Sequence, residues 1–126
     1  MIRKIVLGLT LAAFACTGAI AQGIKRTPLQ KIDFPAGYTT VTAIAEIPAG
    51  GSAGRHTHPG VETGYVIEGE GELLIEGQPA KLLKPGESWA IPAGAIHDAK
   101  VVGDKPLKIM AIYIVEKDKP LATPAP

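Results

Sequence analysis

The sequence predicts an all-β fold whose sheets are rolled into a barrel or laid face to face as a sandwich. Three observations carry this. Glycine and proline, 15 and 11 of 126 residues, punctuate the middle of the chain at short intervals, which favours many short strands and leaves no convincing amphipathic helix beyond the N-terminal stretch. The first long run between them, residues 38–47, is rich in Thr, Val and Ile, which favour strands. Four side chains able to bind metal, His56, His58, Glu62 and His97, lie in two stretches far apart in sequence. Strands bring such residues to one centre only if the sheet closes on itself.

The strands follow in order. Residues 62–69 and 72–76 read as a hairpin around Gly69-Glu70-Gly71. Residues 79–83 and 87–91 flank the turn Lys84-Pro85-Gly86, and residues 96–102 and 107–115 complete the set. The last run is apolar at nearly every position, so burial on both faces is expected. Gly50, Gly69, Gly86 and Gly94 stand where turns call for positive φ.

The spacing of the metal-binding residues has a physical logic. On a strand, side chains two apart share a face, so His56 and His58 can both look inward. Pro59-Gly60 bends the chain, and Glu62 can return to the same centre on the next strand. Pro92-Ala93-Gly94 is a second turn, which can deliver His97 from a distant strand. Imidazole and carboxylate together suit one divalent first-row metal: Mn, Fe, Ni or Zn. A lone histidine is more often a surface or satisfied core residue, but these are all three histidines of the chain, in register with a carboxylate.

At these residues the chain resembles the cupin superfamily, in the form of its small, single-domain, secreted bacterial members. Gly50, His56, His58, Glu62 and Gly69 match the first cupin motif at every spacing; Gly86, Pro92, Gly94 and His97 match the second. The closing asparagine of the second motif is replaced by Val101. That asparagine is not a metal ligand in the family, so the departure touches only a hydrogen bond beside the motif. The resemblance runs from about Phe34 to Val115. It implies a single jelly-roll-type double-stranded β-barrel, residues 34–116, of which the two motifs are halves. It implies metal ligation by His56, His58, Glu62 and His97, and an N-terminal arm or edge strand at residues 22–33, of a kind often exchanged between subunits.

The ends read separately. Arg3 and Lys4 precede an apolar, uncharged stretch, residues 5–20, and Ala19-Ile20-Ala21 is a small-x-small cleavage pattern. Residues 1–21 are therefore expected to be a signal peptide, cleaved after Ala21, placing the mature chain in the periplasm or outside the cell without stable membrane insertion. A membrane anchor ranks below this, because the stretch is short and interrupted by Gly8 and Gly18. Lipidation at Cys16 ranks lower still, since Ala13-Phe14-Ala15 is a poor lipoprotein signal. Cleavage removes that sole cysteine and reduces thirteen basic residues to eleven against twelve acidic ones, a net charge of −1 with neutral histidines. The mature chain, one domain of roughly a hundred residues without a disulfide, is expected to gain burial by forming a homodimer. No basic patch with interleaved aromatics marks a nucleic-acid partner. Residues 117–126, with Pro120, Pro124 and Pro126, read as a flexible tail.

Three functions fit: a metal-dependent enzyme on a small molecule (oxygenase, decarboxylase, isomerase or lyase), a non-catalytic metal or small-molecule binding protein, and a structural module tied by its metal. The enzyme ranks first. No catalytic or substrate-binding residue is singled out. Arg55, adjacent to His56, and Tyr65, three residues past Glu62, both fall on outward parity. Trp89 either lines the barrel or covers its outer face. Glu68, Glu70, Glu72 and Glu76 form an acidic hairpin read as solvated surface.

Overall fold

The structure, a computed structural model, describes residues 23–126. The leader reading, with Cys16 and the cleavage pattern at Ala19-Ile20-Ala21, lies outside the described residues. Ten strands follow in order: β1 Lys25–Ile32, β2 Tyr38–Ile47, β3 His56–Thr57, β4 Gly60–Glu68, β5 Glu70–Ile75, β6 Lys81–Leu83, β7 Ser88–Ile91, β8 His97–Val102, β9 Leu107–Glu116 and β10 Thr123–Pro124. No helix occurs among the described residues.

The strands form two antiparallel five-stranded sheets, ordered β1-β2-β9-β4-β7 and β10-β3-β8-β5-β6. The fold is the all-β jelly-roll barrel. The main core lies between the sheets: Val66, Trp89, Ile91 and Leu107 of the first pack with Leu73 and Leu83, from β5 and β6 of the second. Full burial of each large aliphatic side chain contributes about 1.5–3 kcal/mol. Trp89 is thus a barrel-lining residue. A smaller cluster of Val41, Ala43, Ala111, Tyr113 and Val115 fills the space near the candidate site.

Three segments differ from the sequence reading or refine it. β9 is not buried on both faces: Leu107, Ile109, Ala111, Tyr113 and Val115 are buried, while Met110 is exposed and Ile112 and Ile114 are half-buried. It is a central strand, between β2 and β4, but an antiparallel sheet packs its core on one face only. The C-terminal segment, read from its prolines as loose, contains β10, where Thr123 pairs with Thr57 and Pro124 with His56. Ala125 N donates to Arg55 O at 3.0 Å. Proline is tolerated there because β10 is an edge strand. β1 occupies the opposite edge position, in the first sheet, and pairs with β2.

Glycine is required at two kinds of place. Gly50, Gly69, Gly86 and Gly94 all have positive φ, between 73° and 92°. Gly60 and Gly64 instead allow close approach: a Cβ on Gly60 would collide with the Ile114 carbonyl oxygen, and one on Gly64 with the Trp89 ring.

Candidate metal centre

The two sheets meet around His56, His58, Glu62 and His97. His56 on β3 is registered directly opposite His97 on β8, both in the second sheet. Glu62 on β4 is opposite Tyr113 on β9, in the first. His58 stands in the link that carries the chain from one sheet to the other, and its carbonyl accepts from Gly94 N at 3.0 Å, joining the turns of the two motifs. All four side chains are buried, and one ligand atom from each lies within 4.8 Å of the others. The imidazole centroids are 4.2 Å (His56–His97), 4.8 Å (His56–His58) and 5.1 Å (His58–His97) apart.

Each imidazole is oriented by a backbone carbonyl. His56 Nδ1 donates to Gly54 O at 2.6 Å, His58 Nδ1 to Leu121 O at 2.5 Å and His97 Nδ1 to Ala95 O at 2.9 Å. A carbonyl can only accept, so the proton of each neutral ring sits on Nδ1 and Nε2 presents a lone pair. The Nε2 atoms of His58 and His97 are buried without a satisfied hydrogen bond, although Glu62 Oε2 lies 2.8 and 3.3 Å away. Two lone pairs facing a carboxylate oxygen repel one another unless a cation lies between them. A divalent ion resolves the conflict, and the donor set, three imidazoles and one carboxylate, suits a first-row metal. These residues can hold such an ion.

A cation between these groups, proton or metal, is what keeps Glu62 ionised. Burial pushes its carboxyl up, but hydrogen bonds and charge from His58 and His97, with a proton on Nε2 in place of a metal, outweigh burial and hold it down to about 2. Burial lowers His56 to about 4, which keeps it neutral and available as a ligand. Burial first, then the Glu62 charge, raises the Tyr113 phenol to about 12.

Two polar residues of the site have no counterpart in the sequence reading. Arg26 reaches in from β1: its Nη2 lies 3.2 Å from His56 Nε2, and its Nε donates to Tyr113 Oη at 3.2 Å. Tyr113 in turn packs against His58, ring centroids 4.9 Å apart. For Tyr113 a signal existed, since it shares parity with the buried Ala111 and Val115 on β9. For Arg26 none did: only its pairing opposite Ala45 places it on the inner face. Arg55 points outward, as parity requires, but is engaged rather than simply solvated. Its Nη2 pairs with Glu76 Oε2 at 2.6 Å and its Nε donates to Pro126 O at 2.6 Å. Tyr65 lies exposed on the outer face.

The cupin-domain signature matches residues 43–113. The chain belongs to the cupin family. Dimethylsulfoniopropionate lyase DddQ of Ruegeria pomeroyi is 31% identical to this cupin over 70 residues, covering 56% of the chain but only 34% of the lyase. The chain therefore spans about a third of the length of the curated relative it matches. The crystal structure of that lyase superposes with a TM-score of 0.71 at 23% identity, over 86% of this cupin and 55% of the lyase. A cupin-like protein of Thermotoga maritima gives 0.67 at 24% identity, over 81% and 75% of the two chains. Recombinant oxalate oxidase in complex with glycolate gives 0.68 at 21%, over 84% and 57%. At these identities the structural likeness establishes the fold.

Proposed function

We propose that this cupin is a metal-dependent enzyme of the cell envelope that acts on a small molecule, with His56, His58, Glu62 and His97 holding one divalent transition metal, Mn, Fe, Ni or Zn. The carrying observation is the pair of buried Nε2 lone pairs, on His58 and His97, turned toward an ionised Glu62. Bound there, the metal supplies Lewis-acid chemistry, polarising a substrate oxygen or lowering the pKa of a water. The protein's own groups set the conditions. Glu62 offsets part of the cation's charge. The carbonyls of Gly54, Leu121 and Ala95 fix the ring tautomers. Tyr113 stays a neutral phenol at physiological pH and holds the Arg26 guanidinium beside the site.

Among oxygenase, decarboxylase, isomerase and lyase chemistry, the match to a dimethylsulfoniopropionate lyase supports lyase chemistry. The test is to strip tag-free protein of metal, reload it separately with Mn, Fe, Ni and Zn, and assay each form on dimethylsulfoniopropionate and a panel of small acids and phenols. Turnover that depends on metal and is lost in Glu62→Gln is expected. A fully loaded protein that binds small molecules and turns over none would replace the enzyme with the second reading, a non-catalytic binding protein.

The basic start and the Ala19-Ile20-Ala21 pattern support export with cleavage after Ala21. Intact mass of the envelope fraction should correspond to a chain beginning at Gln22; a retained Met1 or a lipid on Cys16 would contradict it. Homodimerisation is supported by Leu29, Ile32 and Phe34, 55%, 64% and 68% exposed on and just beyond the edge strand β1. Light scattering at micromolar concentration should show a dimer, and a monomer would count against this.

A further inference from the structure

Arg26 is a cation placed where a second cation is to bind. Its Nη2 lies 3.2 Å from His56 Nε2. His56 Nδ1 already donates to the Gly54 carbonyl, so Nε2 is the ring's one lone pair, and the guanidinium and a metal would contend for it. When the metal takes that lone pair, Nη2 loses its acceptor. Arg26 cannot shed its charge, because a guanidinium stays protonated in proteins. Nor can it move far while its Nε remains on Tyr113 Oη. Tyr113 is buried, and the guanidinium lies 6.0 Å from its ring centroid.

The charge balance then demands an anion. A divalent ion and Arg26 together outweigh Glu62, the one carboxylate among the clustered metal-binding residues. A part-buried site with surplus positive charge is costly until an acceptor with negative charge enters. A carboxylate suits both the planar N–H fork of Arg26 and a hard or borderline metal.

The geometry points to Arg26 as the specificity-determining residue of this site, selecting small substrates or ligands that carry a carboxylate over neutral ones of the same shape. This rests on the metal-centre reading and deepens it.

The test uses full-length mature protein loaded with Mn(II). Binding of propionate and of its neutral isostere propionamide is followed by titration calorimetry and by the water-proton relaxivity of the bound Mn(II). Metal content is measured on every sample. Propionate should bind at least about tenfold more tightly than propionamide. Arg26→Gln should weaken propionate about ten- to hundredfold, the range for a hydrogen bond to a charged group, while weakening propionamide far less and leaving metal content no lower, since a competitor for the His56 lone pair is removed. Arg26→Lys should restore part of the preference, because charge returns without the fork. Equal binding of acid and amide by wild type, or an Arg26→Gln variant with full metal and undiminished propionate affinity, would overturn the assignment of Arg26 while leaving the metal centre standing. Wild-type protein that takes up no Mn(II) at the four residues would overturn both.

Discussion

His58 Nδ1 donates to the backbone carbonyl of Leu121, 63 residues away, at 2.5 Å. The C-terminal segment thereby orients a residue of the candidate metal centre. Leu121 also packs on the cluster containing Tyr113. Deleting residues 117–126 should leave the barrel folded yet lower metal affinity about ten- to hundredfold, the usual effect of removing an orienting partner. Chelator competition on the truncated and full chains measures this. Equal affinities would show that the segment has no part in the centre.

Acid should destabilise the metal-free protein in two stages. His56 is depressed from 6.5 to about 4 and Glu62 from 4.5 to about 2. The folded state thus binds fewer protons than the unfolded state across these windows, and stability rises with pH. The His56 contribution is full above about 6.5 and lost as pH falls through about 4; that of Glu62 is present above 4.5 and lost toward about 2. Melting temperatures of chelator-treated wild type should fall between pH 7 and pH 4, and His56→Gln should flatten that fall. Identical slopes would refute the His56 assignment.

Gly60→Ala should be strongly destabilising. The added Cβ meets the Ile114 carbonyl oxygen and lies 2.6 Å from Val115 Cα, both backbone atoms of β9. Neither can turn aside as a side chain could, so a loss of at least about 1–3 kcal/mol is expected. That corresponds to a fall in Tm of roughly 4–8 °C per kcal/mol. Calorimetry on the metal-free variant measures it, and an unchanged Tm would contradict the β4–β9 register.

Val101→Asn separates motif from ligand. Val101 N donates to Gly51 O at 3.0 Å and its side chain packs, partly buried, against the main core. An amide there should cost about 1–3 kcal/mol of stability and leave metal content unchanged. Loss of metal at unchanged stability would reverse this assignment.

Much of the fold was legible because its signals are local. The turn glycines, the Thr, Val and Ile content of β2 and the two spaced motifs each state a backbone requirement within a few residues. His56, His58, Glu62 and His97 come together because parity and turns act at short range. What was hidden depends on pairing between distant strands. Arg26 faces the site only because β1 registers Arg26 against Ala45. The C-terminal prolines argued for a loose tail, yet Pro124 sits on an edge strand where its missing N–H costs nothing in the ladder. The apolar outer positions of β9 suggested a doubly covered strand, whereas its core lies on one face alone.

The proposed centre is one divalent metal held by His56, His58, Glu62 and His97. Its most direct test is the stoichiometry of metal uptake by tag-free protein, beside His56→Ala/His97→Ala, with Tm recorded with and without added metal. One ion per wild-type chain is expected, with a rise in Tm on loading because the ion binds the native state. The double variant should take up none and show no rise. One tightly held ion per chain in the double variant, or a wild-type chain that binds none, would show that these four residues are not a metal centre.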